Sequence, residues 1–94
     1  MPGVARPRDV SSAGAWVIAS QRRQTVGFNL RRLRAAAGLS QEELAAKTGL
    51  DRSYISGIER GRRNPTVIVL NEIAVQLGID PRELLTPTSS HDAV

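Results

Sequence analysis

Apolar residues recur at helical spacing along the central part of this 94-residue chain. Four of them share one face of a helix: Val26, Leu30, Leu33 and Ala37. This stripe predicts a first helix from about Gln21 to Ala37. Gly38 would end that helix, because glycine readily takes the left-handed conformation found at helix C-termini.

Two short helices joined by a tight turn are predicted next. Ser40 and Glu43 have the spacing of a capping box, so the second helix would begin at Gln41 and run to Thr48. Gly49 follows and can turn the chain with a positive φ. The third helix is predicted near residues 51–60. The expected buried residues of the two helices are Leu44, Ala45, Ile55 and Ile58.

The C-terminal part of the chain predicts two more helices. Thr66 is a suitable N-cap for a fourth helix that ends before Gly78. Asp80 would cap a short last helix with Pro81 at its first position. The core stripe of the fourth helix is Leu70, Ile73, Ala74 and Leu77, and the last helix holds Leu84 and Leu85.

No strand pattern is evident, so the predicted fold class is all-α. We divide the chain into an N-terminal arm or extension over residues 1–20, a five-helix domain over residues 21–85 and a polar tail over residues 86–94. Residues 1–14, rich in Pro, Gly, Ser and Ala, are expected to form a mobile arm.

Apolar residues also lie outside the predicted core stripes: Trp16, Val17, Ile18, Val67, Ile68, Val69 and Val75. The fourth helix is therefore apolar on more than one face, because it carries Val67, Ile68, Val69 and Val75. Either Ile68 and Val75 join a dimer interface, or the N-terminal island around Trp16 covers them. We favour the second arrangement, because the island otherwise has nothing to bury it.

Basic charge is concentrated in the middle of the chain. Residues 20–65 carry ten basic and four acidic side chains, a net charge of +6, whereas the whole chain carries +4. Such a concentration favours a polyanionic partner such as nucleic acid, with a solvated basic surface as the alternative.

The composition speaks against several other classes of protein. The chain has no cysteine, which excludes disulfides and thiolate metal sites. No apolar run approaches the roughly 20 residues that span a bilayer, and the N-terminus is a poor signal peptide, so we expect a cytoplasmic protein. His91 lies in the polar tail, and Glu42 and Glu43 belong to a helix start. We therefore expect no enzyme, metal or cofactor. We also expect no small-molecule ligand, because the predicted organisation has no second domain to bind one.

The spacing of Gln41, Ala45, Gly49, Ile55 and Ile58 resembles the helix-turn-helix of the Cro and phage-repressor (XRE) family. The resemblance extends from about residue 26 to residue 85 and implies a lambda-repressor-like DNA-binding domain with five helices. The string LDRSYISGIERGRRNPT, residues 50–66, is similar to the controller proteins of bacterial restriction–modification systems.

In this family the start of the third helix enters the DNA major groove, so the resemblance implies base readout by Arg52, Ser53 and Tyr54. Arginine can donate two hydrogen bonds to guanine, and tyrosine can contact a thymine methyl group. The alternatives are that Arg52 pairs with Asp51 and that Tyr54 packs inward. Gly57 stands where some relatives present a base-reading side chain, and here it offers only close backbone approach.

The resemblance also implies contacts to the DNA backbone. The expected residues are Gln41, Ser56, Arg60, Arg62 and Arg63. Gln41 opens a helix whose N-terminus suits a phosphate, and the arginines follow the third helix. The alternative for Gln41 is an ordinary helix-start residue, and for Ser56 and the arginines it is a solvated surface. Arg34 and Glu59 are expected to form a structural ion pair that fixes the third helix without touching DNA.

Relatives of this type bind as two-fold dimers to palindromic sites, and the last two helices are their usual dimer surface. The candidate dimer residues here are Ile79, Leu84 and Leu85, with core packing as the alternative. We therefore expect a homodimeric, sequence-specific regulator of transcription that binds double-stranded DNA. A controller of a restriction–modification operon leads, a phage-type repressor or an antitoxin comes next, and a protein-binding adaptor is the alternative from another class.

Overall fold

Five α-helices and no strands build residues 12–88, the part of the chain that this computed structural model describes. The helices are α1 (Ser12–Ala36), α2 (Gln41–Thr48), α3 (Arg52–Glu59), α4 (Val67–Leu77) and α5 (Arg82–Leu85). The prediction of an all-α, five-helix fold is confirmed.

The predicted start of the first helix is wrong. α1 begins at Ser12, not near Gln21, and is 25 residues long. The segment SAGAWVIAS contains no proline, and helix propagation adds one hydrogen bond for each further residue, so the helix continues without a buried stripe to mark it. Of the arm predicted over residues 1–14, residues 1–11 lie outside the described residues. Ala37 is also corrected, because it is exposed in the turn after α1.

Local capping explains the boundaries of α2 and α4. Ser40 Oγ accepts from the Glu43 N–H at 3.0 Å, and Glu43 Oε1 accepts from the Ser40 N–H at 2.8 Å. The backbone hydrogen bond from Ser40 lowers the pKa of Glu43 below its ordinary value. Gly49 and Gly78 end the two helices with φ of 75° and 69°, and Thr66 Oγ1 accepts from the Val69 N–H at 3.1 Å. These predicted caps are confirmed.

The core lies where α1 packs against α3 and α5, while α2 packs against α3 and α4. Its buried apolar residues are Val26, Leu30, Leu33, Leu44, Ala45, Ile55, Ile58, Leu70, Ile73, Ala74 and Leu84. Asn29 is fully buried among them. Its Nδ2 donates to the carbonyls of Leu84 and Thr86 at 3.1 and 2.9 Å, which ties α1 to the end of α5.

Leu84 must be withdrawn as a dimer contact, because its side chain is fully buried in the core of a single chain. Ile79 is half-buried against the core, and Leu85 is 50% exposed. The prediction that the N-terminal island covers α4 is also wrong. Trp16 remains 63% exposed and Ile68 70% exposed, because α1 continues as one helix and does not fold back.

Two features limit what this fold contains. Within residues 12–88, none of the helices combines the length and the apolar character that crossing a membrane requires. The same residues hold no group of three or more His, Cys, Asp or Glu side chains placed to bind a metal ion.

Gly27 sets the distance between α1 and α3. A Cβ built on Gly27 would lie 2.5 Å from the carbonyl O of Ile58 and 2.6 Å from that of Glu59. Both neighbours are backbone atoms, which cannot move aside as a side chain can. Glycine at this position therefore allows the end of α3 to lie directly against α1.

We expect Gly27→Ala to lower the free energy of unfolding by about 1–3 kcal/mol, because α1 and α3 must separate to admit the methyl group. Alanine gains about 1 kcal/mol of helix propensity, which offsets only part of this cost. The measurement is denaturant unfolding followed by circular dichroism. Arg31→Ala, at an exposed position of the same helix, is the control and should change stability by less than about 0.5 kcal/mol. An unchanged unfolding midpoint for Gly27→Ala would contradict this close packing.

Candidate nucleic-acid interface

The turn between α2 and α3 holds the two helices in a fixed relation. The Gly49 N–H donates to the carbonyl of Ala45 at 2.8 Å, and Gly49 takes the left-handed conformation. Ala45 belongs to the buried core. Ile55 and Ile58 point from α3 into the core. Because one face of α3 is buried, its opposite face is presented to solvent in a defined orientation.

The start of α3 carries the residues expected to read bases. Arg52 and Ser53 are exposed. Tyr54 is half-buried and packs against the core, so the inward alternative applies to part of its side chain. Asp51 is the N-cap of α3 but makes no side-chain capping bond. Arg52 does not pair with Asp51; its Nε lies 3.6 Å from Glu42 Oε2 instead.

Arg34 and Glu59 form an ion pair between α1 and the last residue of α3. Arg34 Nε donates to Glu59 Oε2 at 2.6 Å, and Arg34 Nη2 donates to Oε1 at 3.0 Å. Their side chains are 14% and 4% exposed. The hydrogen bond to Glu59 raises the pKa of Arg34 further above its ordinary value, so this guanidinium remains charged. The third Arg34 bond, from Nη1 to the carbonyl of Leu39 at 2.7 Å, holds the α1–α2 connection.

Gln41 joins this ion pair to the start of α3. Its Nε2 donates to Glu59 Oε1 at 3.0 Å, while its Oε1 accepts from Arg52 Nη1 at 3.0 Å. A continuous chain of hydrogen bonds therefore runs from Arg34 through Glu59 and Gln41 to Arg52. The sequence suggested a phosphate contact for the Gln41 side chain, whereas the structure uses both ends of its amide inside the protein. The backbone N–H groups at the start of α2 remain suited to a phosphate.

Arg63 lies over Gly57. A Cβ on Gly57 would lie 2.7 Å from Arg63 Cγ, so the space of the missing side chain is filled by the arginine stem. The Arg63 guanidinium is 5.8 Å from the centroid of the Tyr54 ring, within the range of a cation–π contact. Gly57 is buried as a result. Close approach of a base to the Gly57 backbone, as the sequence suggested, therefore requires Arg63 to move.

The remaining residues expected to contact the DNA backbone border the end of α3. Ser56 is half-buried, whereas Arg60, Arg62 and Arg63 are exposed. Within residues 12–88, none of these three arginines forms an ion pair. Unpaired guanidinium groups beside an exposed helix face create a positive potential that attracts a polyanion.

Sequence patterns did not reveal three features of this surface. Gly27 lies inside a helix, and only the tertiary contact explains its missing side chain. Gln41 bridges Arg52, which is 11 positions further along the chain, and Glu59, which is 18 positions further. No helical periodicity connects residues at these separations. Arg63 reaches back over Gly57 from a loop without regular structure. A glycine within each of two predicted helices was the one available signal, because interior glycine costs helix stability unless a close contact needs it.

The chain resembles known proteins over most of this region. A family profile described as helix-turn-helix matches residues 30–84. The uncharacterized HTH-type transcriptional regulator y4dJ of Sinorhizobium fredii is 54% identical over 66 residues, which cover 70% of this chain and 86% of that protein. The control protein C.BamHI of Bacillus amyloliquefaciens is 41% identical over 64 residues, covering 67% of this chain and 79% of that protein. The crystal structure of the restriction-modification controller protein C.AhdI from Aeromonas hydrophila matches with a TM-score of 0.64 and 52% identity, over 66% of this chain and 94% of that chain.

The Arg34–Glu59 pair generates the second prediction. Glu59→Gln leaves Arg34 charged and nearly buried without its anion, so we expect a loss of about 1–3 kcal/mol in unfolding free energy and weaker binding to duplex DNA. Glu42→Gln makes the same charge change at a side chain that is 71% exposed and should cost less than about 0.5 kcal/mol. Thermal unfolding and fluorescence anisotropy with labelled duplex measure the two effects. If Glu59→Gln leaves both unchanged, the pair does not anchor α3.

The contact of Arg63 with Gly57 generates the third prediction. We expect Gly57→Ala to displace Arg63 and to weaken binding to duplex DNA, with a smaller dependence of affinity on salt concentration. Unfolding should become no easier, because alanine favours the helix by about 1 kcal/mol and Arg63 can move into solvent. Arg63→Ala supplies the comparison: once it is made, adding Gly57→Ala should not weaken binding further. Additive losses in the double variant would contradict the idea that Gly57 acts through Arg63.

Proposed function

Because this chain belongs to the helix-turn-helix family of DNA-binding transcriptional regulators, we propose that it binds one operator sequence in duplex DNA as a homodimer. The observation that carries this proposal is the exposed start of α3, where Arg52 is oriented by Gln41 and, through it, by the nearly buried Arg34–Glu59 pair. A side chain that reads bases must be held in a narrow range of positions, and this chain of bonds supplies the restraint.

Specific and non-specific contacts fall to different residues in this proposal. Arg52 and Ser53 read base edges in the major groove, and the exposed part of Tyr54 contacts a base or a nearby phosphate. Arg60, Arg62 and Arg63, together with the start of α2, hold the phosphates on either side. The half-buried Ser56 is left with a backbone contact at most. No chemical reaction is part of the proposal, and a regulator that binds a bacterial operator works in the cytoplasm.

Dimerisation is proposed on physical grounds as well as on the family. One helix-turn-helix unit buries too little surface for tight specific binding, so two copies on half-sites about 34 Å apart are needed. Exposed apolar residues of the last two helices, Val67, Ile68, Val75 and Leu85, support an association surface there. The half-buried Ile79 would contribute at its edge.

The relatives named as controller proteins support a role in a restriction–modification operon. The controller-like string over residues 50–66 includes both the base-reading residues and the arginine loop. The gene neighbourhood tests this part: an adjacent restriction endonuclease or methyltransferase gene would support it, and their absence would favour a phage-type repressor.

In vitro selection from a pool of random duplexes tests operator binding. We expect one enriched palindrome, bound at least about 10³-fold more tightly than random duplex at the same salt concentration. A protein-binding adaptor with this fold would bind both duplexes equally, through its basic surface alone. Equal binding would therefore overturn the proposal.

The fourth prediction separates the two kinds of contact. Arg52→Gln should weaken binding to the selected palindrome by about 10- to 100-fold and leave binding to random duplex unchanged, because it removes a base contact. Arg60→Gln removes the same charge beyond the end of α3 and should weaken binding to both duplexes. Its salt dependence, the slope of log K against log salt, should fall by about 0.9 for each lost phosphate contact. Equal losses on both duplexes for Arg52→Gln would exclude it as a base-reading residue.

A further inference from the structure

The N-terminal half of α1, residues 12–23, lies outside the surface described above. The helix-turn-helix profile begins at residue 30. Side chains from Ala15 to Ala19 are exposed, and Thr25 is the first buried residue within the described part of the chain. This segment is therefore a helical projection that contributes little to the core. We call residues 12–23 the α1 projection.

Two contacts join the base of the α1 projection to the turn after α3. Arg23 Nε donates a hydrogen bond to the carbonyl of Gly61 at 3.3 Å. The next residue, Gln24, packs against the same glycine, since a Cβ on Gly61 would lie 3.4 Å from Gln24 Cγ. Gly61 leads directly into Arg62 and Arg63. The C-terminal end of the α1 projection therefore lies beside the arginines that are proposed to hold phosphates.

The charge of α1 also points to an anion. The helix carries five arginines and no Asp or Glu. Within residues 12–88, Arg34 is the one of these five that forms an ion pair. Arg22 and Arg23 stand at a groove of about 260 Å³, which is otherwise lined by Asn64 and Pro65 from the loop after α3 and by the apolar Ala19, Val26, Leu70 and Leu85. Two neighbouring guanidinium groups without a carboxylate repel one another and attract a polyanion.

Trp16 orients one of these guanidinium groups. The Arg23 Cζ lies 5.2 Å from the centroid of the Trp16 ring, which is a cation–π distance. The ring remains 63% exposed, so this contact does not bury it in the fold. Stacking fixes the plane of a guanidinium, and with Nε bonded to the Gly61 carbonyl the Nη groups of Arg23 remain to donate hydrogen bonds to phosphate oxygens.

We propose that Arg22 and Arg23, with Trp16 stacked on Arg23, bind the phosphate backbone of the DNA that flanks the operator half-site. The inference rests on the proposed operator binding and extends it beyond the helix-turn-helix. The positive charge of the α1 projection favours DNA as its partner over a second copy of the chain. Two projections meeting around a two-fold axis would bring four arginines together, and neither α1 supplies a carboxylate.

The test compares two duplexes of the selected palindrome, one trimmed at its outer edges and one extended by ten base pairs on each side. The protein is the full chain. We expect tighter binding to the extended duplex, and we expect Arg22→Gln/Arg23→Gln to remove this advantage, on the order of tenfold. The salt slope on the extended duplex should fall by about 0.9 for each lost contact. Binding of the variant to the trimmed duplex should equal that of the wild type.

Trp16 gives an independent signal, because it is the one tryptophan in the sequence. Its fluorescence should change when the extended duplex is added and should not change with the trimmed duplex. Arg82→Gln is the charge-matched control, since Arg82 at the start of α5 is exposed and pairs with Asp80 in the preceding turn. It should preserve the advantage of the extended duplex. Arg22→Gln alone, at an exposed position, should show part of the loss without disturbing the contact of Arg23 with Gly61.

The possible results separate this inference from the proposed function. If the wild type shows no preference for any palindrome, operator binding itself is wrong. If it prefers the palindrome but binds trimmed and extended duplexes equally, with Trp16 fluorescence unchanged, only the flanking contact is wrong. If Trp16→Ala instead shifts the protein from dimer to monomer in sedimentation, and duplex length has no effect on binding affinity, the α1 projection is a dimer contact and the inference is overturned.

Discussion

The position of α3 depends on a nearly buried ion pair between Arg34 and Glu59. Removing two charges from water is costly, and a pair of this kind is stable only when the remaining hydrogen-bonding groups are also satisfied. Here the Glu59 carboxylate accepts hydrogen bonds from both Arg34 and Gln41, and Arg34 also donates to the carbonyl of Leu39. One pair therefore connects the end of α1, the start of α2 and the end of α3.

This ion pair needs the backbone of α1 and α3 to be close, and Gly27 permits that closeness. A side chain at Gly27 would collide with the carbonyls of Ile58 and Glu59, the residue that carries the carboxylate. Both features favour the contact between α1 and α3, because the glycine removes a steric barrier and the ion pair supplies attraction. The buried Ile55 and Ile58 then fix the rotation of α3, which determines the side chains that it presents to solvent.

The parts of the structure that sequence rules predicted are those that local interactions determine. The capping box of Ser40 and Glu43, the Thr66 cap and the positive φ of Gly49 and Gly78 each involve residues close together in the chain. The start of α1 was missed because an exposed helix has no apolar stripe. Leu84 was misassigned because a four-residue helix is too short for its periodicity to separate a core face from a surface face. The family resemblance supplied the Arg34–Glu59 pair, which no local pattern could have provided.

Contacts between distant segments of the chain, which local sequence patterns do not predict, are also what shape the candidate site. The family resemblance identified Arg52 and Ser53 as candidates, and both side chains are exposed in the structure. It did not identify what restrains them, since the Gln41 bridge and the Arg63 stem are contacts between separate segments. Restraint matters because a base contact discriminates only when the side chain cannot relax toward a wrong base. Phosphate contacts have no such requirement, and the arginines after α3 are exposed and unpaired within the described residues. Under the proposed function, Arg52, the arginine that discriminates between sequences, is thus restrained by its hydrogen bond to Gln41, whereas phosphate contacts by the exposed arginines after α3 would require no comparable restraint.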